Sequence, residues 1–391
     1  MGLFHDSSND DTTCPMPRPL VAGSFLYLGA TGSNNKANQG TLDASENFIG
    51  EYTFHKFNMI LSGACTAATC LVILFTMIKH SLRFSNPNEQ LKIMRIATLL
   101  PIYSILSFIP ICFPNSYVYV TGWVEVIQGI ALYTFLMLLC DFLAPNDRNR
   151  VFFFASLRIP GRMDNNKTTD GLTWLQKTWY LVLQYPIAAF LIAIAECITE
   201  AAGVYCLESN NGHFAHLWLN IIRIISLGLA IMATLRFYTN LKSHMQDHKP
   251  LTKLLAFKLV VGLVFLEQII FMILHSTDAL KETSKLSYAD VYIGIPTMII
   301  CIQMVPFAFF FNYAYSTKPY RVNDSSARHG NPQEYLAVEE NEAGRTYKSR
   351  QYQGGPLGIY AWLAFCNALE FFREITSTYH YLEDREYGVD L

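Results

Sequence analysis

The chain has 391 residues, of which 51% are hydrophobic and only 15% charged, with a net charge of -2. A water-soluble protein of this size carries about 25% charged residues, so the composition excludes an ordinary soluble fold and calls for an apolar solvent. The near-neutral balance also lacks the basic signature of nucleic-acid binding, so no nucleic-acid partner is expected. The partner that the composition itself demands is a lipid bilayer.

Residues 1–50 are polar and rich in Gly and Asn, and read as an extracytosolic N-terminal segment. With Asp6, Asp10, Asp11 and three prolines, residues 1–19 do not read as a signal peptide, and insertion is expected to be driven by the first span. A spanning helix needs roughly 20 mostly apolar residues. Seven segments meet or approach that: Asn58–Ile78, Ile93–Phe113, Val118–Phe142, Thr178–Ala202, Leu217–Tyr238, Leu254–Leu274 and Tyr292–Tyr313. The predicted fold class is therefore all-α, a polytopic membrane protein with seven transmembrane helices in residues 51–317.

Short loops on the cytosolic side are enriched in Lys and Arg. The first connection carries Lys79, Arg83 and Lys92, with Arg95 just inside the next span. The third carries Arg148, Arg150, Arg158, Arg162, Lys167 and Lys177, and the fifth Lys242, Lys249 and Lys253. The second and fourth carry none, and the sixth only Lys281 and Lys285. Odd connections are thus assigned to the cytosol, which puts the N-terminus outside and the tail inside. The sequons at Asn166 and Asn323 then fall on the cytosolic side, where they are not glycosylated. The expected home is a plasma membrane or an endomembrane such as a vacuole or endosome.

Residues 318–355 read as a flexible cytosolic tail. In 356–382, Leu357, Tyr360, Ala361, Ala364, Phe365, Ala368, Phe371, Phe372, Ile375 and Tyr379 recur at helical spacing. That segment is too polar to span and is read as one amphipathic helix, lying on the inner leaflet or packed under the bundle. Residues 383–391 form the C-terminal end.

An ionisable group in hydrocarbon costs about 2.5–3.5 kcal/mol even on lenient scales, so it normally faces the bundle interior. Glu125 and Gln128 share a face in the outer third of span three. Glu196 and Glu200 share one in the outer half of span four, beside Ala189, Ala193 and Gly203. Arg223 lies at similar depth in span five, with Asn220 on its face. We expect a polar cluster there, with Arg223 paired to Glu196 or Glu200. It is either a solute pathway or an ion pair that fixes helix register. Glu267, Gln268 and Gln303 lie nearer mid-depth and complete the pathway candidates, although interhelical hydrogen bonding is the simpler role for the glutamines. Lys258 and Arg236, near inner ends, snorkel. Pro101, Pro110, Pro186, Pro296 and Pro306 are expected to kink their spans.

Nothing in the sequence reads as an enzyme: it has no GxSxG, HExxH, P-loop or GxGxxG in context. No cofactor is expected. His213 and His216 have no third ligand nearby, so no metal is expected either. Cys65, Cys70, Cys112, Cys140, Cys197 and Cys301 sit in apolar runs as small core residues. Only Cys14 and Cys206 face an oxidising side, and a bridge between them is not expected.

Asn86–Phe108 reads NPNEQLKIMRIATLLPIYSILSF. This resembles the organic solute transporter alpha-subunit family, through Pro87, Glu89, Gln90, Ile93, Arg95, Ile96, Pro101, Tyr103, Ser104 and Ser107. Pro250–Gln268 is similar to the family's sixth span, through Lys253, Lys258, Val260, Val261 and Gln268. The tail after a Gly-Gly-Pro turn resembles fungal members. The resemblance implies a seven-span protein that moves amphipathic organic solutes, sterol- or lipid-like anions, and since the sequence has no nucleotide motif such transport is expected to be facilitative. It also implies a single-span partner subunit or a homo-oligomer. The alternatives are a seven-span receptor and a membrane-organising or trafficking factor.

Overall fold

A computed structural model describes residues 47–144, 147–160, 168–206, 212–245, 250–276, 280, 283, 285–287, 289–320, 339–340, 346–347 and 352–383. Both sequon asparagines and Cys14 lie outside the described residues. The described chain is almost entirely helical, in line with an all-α membrane protein. Its helices are α1 (Phe54–Ser81), α2 (Pro87–Ala97), α3 (Leu99–Cys112), α4 (Tyr117–Leu143), α5 (Asp147–Ser156), α6 (Gly171–Ala201), α7 (Ala215–Leu241), α8 (Pro250–Ser276), α9 (Ile295–Ala314), α10 (Ile359–Cys366) and α11 (Ala368–Glu383).

Among the described residues, six helical stretches are long and apolar enough to cross a membrane: Phe54–Ser81, Pro87–Cys112, Pro114–Leu143, Gly171–Ala201, Ala215–His244 and Asp290–Tyr320. The sixth expected span, Leu254–Leu274, coincides with α8, whose 27 residues include the shorter apolar stretch Leu259–Phe271.

Local chemistry sets the helix ends. Asn86 precedes Pro87 at the first turn of α2, where a missing N–H costs nothing. The Gln90 side-chain oxygen accepts from the amides of Ser85 (2.8 Å) and Asn86 (3.0 Å), satisfying donors that a helix start leaves over. The expected second span is interrupted at Thr98, three residues before Pro101, whose ring cannot supply the N–H that the Ala97 carbonyl needs. At the far end of α6, Gly203 takes φ 72°. Its amide bonds Glu200 O at 3.0 Å, and Val204 N bonds Thr199 O at 3.0 Å. That pair of bonds is a Schellman stop. Gly203 is therefore a helix terminator, not the helix-packing residue expected from its spacing.

Helix α4 is the axis of the bundle. It packs along α6 and also touches α2, α3 and α7, while α1, α3 and α9 form a trio with α8 laid on α9. Two glycines allow the α4–α6 contact. A Cβ on Gly129 would stand 2.7 Å from the Pro186 Cα, and one on Gly122 would stand 3.1 Å from the Ala193 Cα. Beyond them the C-terminal half of α4, from Ala131 to Phe142, is buried on every side. Just before α9, Asp290–Gly294 form a π-turn, and the Asn58 side-chain amide of α1 donates to the Gly294 carbonyl at 2.9 Å.

Several local expectations are revised. The third connection contains α5 and a small hairpin, Arg158–Pro160 paired antiparallel with Thr168–Asp170. The tail is not one helix over 356–382: Asn367, with ψ 93°, separates α10 from α11. Both pack beneath the bundle, and Gln353 N donates to Phe84 O at 2.7 Å just before them. Cys140 and Cys301 are buried, but Cys65, Cys70, Cys112 and Cys197 are only half-buried on helix flanks. Cys206 is disulfide-bonded, against expectation, with its partner outside the described residues.

The close contact gives a direct test. Gly129→Ala is expected to destabilise the protein by about 1–3 kcal/mol, since the added carbon meets backbone that cannot yield. Gly228→Ala, where nothing lies within 4 Å, is expected to leave the melting temperature in detergent unchanged.

Candidate functional site

The polar groups at the N-terminal half of α4 meet where α3, α4, α6 and α7 converge. Tyr103 of α3 donates to the Gln128 side-chain oxygen. The Gln128 amide donates to the Tyr185 hydroxyl at 2.9 Å, and Tyr185 donates to Glu125 Oε2 at 2.7 Å. The chain thus runs in one direction and ends on a carboxylate. All four side chains are buried.

About three turns beyond Tyr185 on α6, Glu196 accepts from the Arg223 guanidinium of α7 and from the Tyr205 hydroxyl. Gly122 lies directly beneath it, since a Cβ there would stand 2.6 Å from Glu196 Oε2. Tyr205 lies in the connection after α6. Burial first, then the neighbouring Glu196, pushes its phenol well above the ordinary value, so it stays a neutral donor. Glu200 is buried one turn beyond. A further bridge joins the same two helices: Gln184 Nε2 donates to Ser226 O at 2.8 Å, and Ser226 Oγ donates to Gln184 Oε1 at 2.7 Å.

Glu267 and Gln303 form a separate pair between α8 and α9 at 2.7 Å. Gln268 points away and is exposed, so the structure does not bring it to either group. The Lys258 side chain lies outside the described ones. The Ser104 carbonyl accepts from Thr66 Oγ1 at 3.4 Å and Cys301 Sγ at 3.6 Å, tying α3 to α1 and α9.

A second cluster lies at the C-terminal end of α4, and sequence reasoning missed it. Lys92 Nζ reaches Asp141 at 2.6 Å and Glu374 of α11 at 2.8 Å. Arg150 reaches Asp141 at 2.9 Å, and Arg95 stands 3.9 Å from Glu374. Arg150 had been counted as a solvated loop charge, yet it is 3% exposed. Glu89 accepts from the Tyr320 hydroxyl at 2.7 Å. Gln90 Nε2 donates to the carbonyls of His80 (3.2 Å) and Arg83 (2.9 Å). The stretch that carries the family resemblance is therefore a bracket joining α1, α2, α4, the end of α9 and α11. A polar residue at the inner end of span three, with Lys92 and Arg95 opposite, was the signal available.

Long apolar helices around a buried, hydrogen-bonded polar core define an integral, multi-pass α-helical membrane protein. The family profile of the organic solute transporter Ostalpha matches residues 58–320, well over half of the chain, and the chain belongs to that family of transporter-like membrane proteins. Among curated relatives, a transmembrane protein 184 homologue of Dictyostelium discoideum is 24% identical over 277 residues, covering 66% of this chain and 52% of the relative. Protein LAZ1 of Arabidopsis thaliana is 24% identical over 291 residues, covering 69% and 59%. The chain thus spans only 52% and 59% of the length of these relatives. No solved structure matches it.

The Arg223–Glu196 pair can be weighed directly. Arg223→Leu leaves Glu196 buried and unpaired and is expected to cost about 3–5 kcal/mol. Adding Glu196→Leu is expected to restore most of that. Thermal unfolding of the two single variants and the double in detergent completes the cycle, and additive losses would refute the pairing.

Proposed function

We propose that this chain is a facilitative transporter, or the transporting subunit of one, for amphipathic organic solutes. The observation that carries the reading is the unbroken buried relay Tyr103–Gln128–Tyr185–Glu125 beside Arg223–Glu196. Membership of a transporter family supports it. Polar groups at this depth are costly unless they serve one another or a solute, and here they line one seam of four helices. In this reading Glu125, Gln128, Glu196, Glu200 and Arg223 line the outer part of the path. The tightly packed inner half of α4 is its closed side, and Pro186 is a point at which α6 bends as that side opens.

The charge balance refines the solute. Three carboxyl groups, Glu125, Glu196 and Glu200, face one guanidinium, Arg223. Since Glu196 is taken up by Arg223, a free anion entering here meets the acidic side chains of Glu125 and Glu200 with no further cation beside them among the described side chains of this seam. Coulomb repulsion is strong in a partly dehydrated site, which favours amphipaths with neutral or cationic heads over the anions implied by the family resemblance.

The proposed topology has seven spans, with α8 the sixth, the N-terminus outside and the C-terminus in the cytosol. The Lys/Arg bias supports this, and so does the disulfide at Cys206 in the fourth connection, since disulfides persist on oxidising sides.

Flux into proteoliposomes, compared over neutral, cationic and anionic amphipaths, tests the function. Wild type is expected to move neutral or cationic species. Glu125→Gln is expected to lower that flux about tenfold, equivalent to roughly 1.4 kcal/mol, with folding intact by thermal melting. Folded wild type that moves none of them refutes the transporter reading. In intact cells an N-terminal tag is expected to be reached from outside and a C-terminal tag only after permeabilisation; two tags on one side refute the span count.

A further inference from the structure

Large apolar side chains are exposed along α10 and the start of α11, where a soluble helix would be polar. Ile359, Tyr360 and Leu363 are exposed along one side of α10, and Leu369 and Phe372 along the start of α11. Leu357, in the turn before them, is 82% exposed and sits at φ 51°, a left-handed backbone that L residues adopt only under strain. The opposite faces are fully engaged: Ala361 is packed against Phe84 and Leu91, Thr378 is buried, and Glu374 is bonded to Lys92.

The position of this face says what covers it. The turn is fixed to the last residue of α1: Tyr352 donates to Ser81 O, and a Cβ on Gly358 would stand 2.8 Å from Ser81. On α1, Leu71, Leu74, Phe75, Ile78 and Leu82 form an exposed apolar stripe at helical spacing, the side that faces lipid in a spanning helix. Lys79 folds back over the Phe75 ring at 4.0 Å, as expected of a cation at the end of a hydrophobic span. The turn that opens α10 thus stands against Ser81, next in the chain to Leu82, where that stripe ends.

We propose that α10 and the start of α11 are seated in the lipid leaflet on that side, at the boundary between headgroups and acyl chains, through Leu357, Ile359, Tyr360, Leu363, Leu369 and Phe372. A helix in that zone buries its apolar face some 5–10 Å deep. The tail then joins two surfaces: Glu374 holds the protein, and the apolar face holds the membrane. This holds whether or not the protein carries a solute and whichever side faces the cytosol.

The test uses the full-length protein in phospholipid nanodiscs, with its free cysteines replaced and nitroxide labels introduced one at a time. Leu363→Cys and Leu369→Cys are compared with Leu71→Cys as the lipid reference and Lys242→Cys as the water reference. The ratio of oxygen collisions to collisions with a water-soluble nickel chelate is expected to match the lipid reference and to exceed the water reference several-fold. A ratio equal to that of Lys242→Cys overturns the proposal. Should the cysteine-free background fail to fold, a photo-crosslinking amino acid at Leu363 in the native-cysteine protein gives the same decision. Phospholipid adducts support the proposal, whereas adducts of protein mass show that a second copy or another protein covers the face and overturn it.

Discussion

The buried relay that joins α3, α4 and α6 depends on how closely α6 can lie against α4. Gly122 and Gly129 leave no room for a side chain between the two helices. In a bilayer, such close approach is the principal source of helix association, because lipid is as apolar as leucine and supplies no hydrophobic drive. The same approach brings Tyr185 within reach of Glu125 and Gln128, and sets Glu196 over Gly122. Packing and electrostatics therefore share one requirement. A wider spacing would lose dispersion contacts and take Tyr185 away from the Glu125 carboxylate, in a medium where an unpaired charge costs several kcal/mol.

The two charge clusters differ in character. The outer one is rich in tyrosine and amide groups and carries more acid than base. The inner one is a compact lattice of Lys92, Arg95 and Arg150 around Asp141 and Glu374, drawn from α2, α4, α5 and α11. Between them α4 presents about two turns of fully buried, mostly apolar residues, Leu132–Leu139. A lattice with this many partners specifies one arrangement of the helix ends, which suits a structural bracket. A directional chain of neutral donors ending on Glu125 is easier to rearrange, because each link is one rotatable hydroxyl or amide. That contrast is why the proposed pathway uses the outer cluster and not the inner one.

The sequence made the helices and their polar residues legible because a bilayer leaves few choices: apolar stretches of the right length must be helical, and charges within them must look inward. Depth along each span placed Arg223 and Glu196 at one level. It could not choose between Glu196 and Glu200, since both lie on one face and only the α6–α7 packing decides. Tyr185 and Tyr205 escaped notice because a tyrosine in an apolar run reads as packing, and its hydroxyl acquires meaning only beside a neighbour. Gly203 was misread because small residues at helical spacing look alike whether they pack a helix or end one; a positive φ is invisible in the sequence. Arg150 was counted as a loop charge because its burial depends on Asp141, nine residues away.

The tail shows the limit of periodicity most clearly. Apolar residues at 3.6-residue spacing over 356–382 identify a helical face, but not which solvent that face meets. Had the tail lain in water, Leu363, Leu369 and Phe372 would turn inward and Glu374 outward. The opposite is found: Glu374 is inside, bonded to Lys92, and the leucines are outside. That inversion follows if the inward neighbour is a cationic lattice and the outward neighbour is hydrocarbon, each face meeting the partner that its chemistry prefers. The break at Asn367 belongs to the same logic. A single straight helix would keep one face throughout, whereas α10 must lie against Phe84 and Leu91 while α11 turns to bring Glu374 to Lys92 and Arg95. The amphipathic pattern is thus two short patterns joined by a bend, and the buried charge pair sets the angle between them.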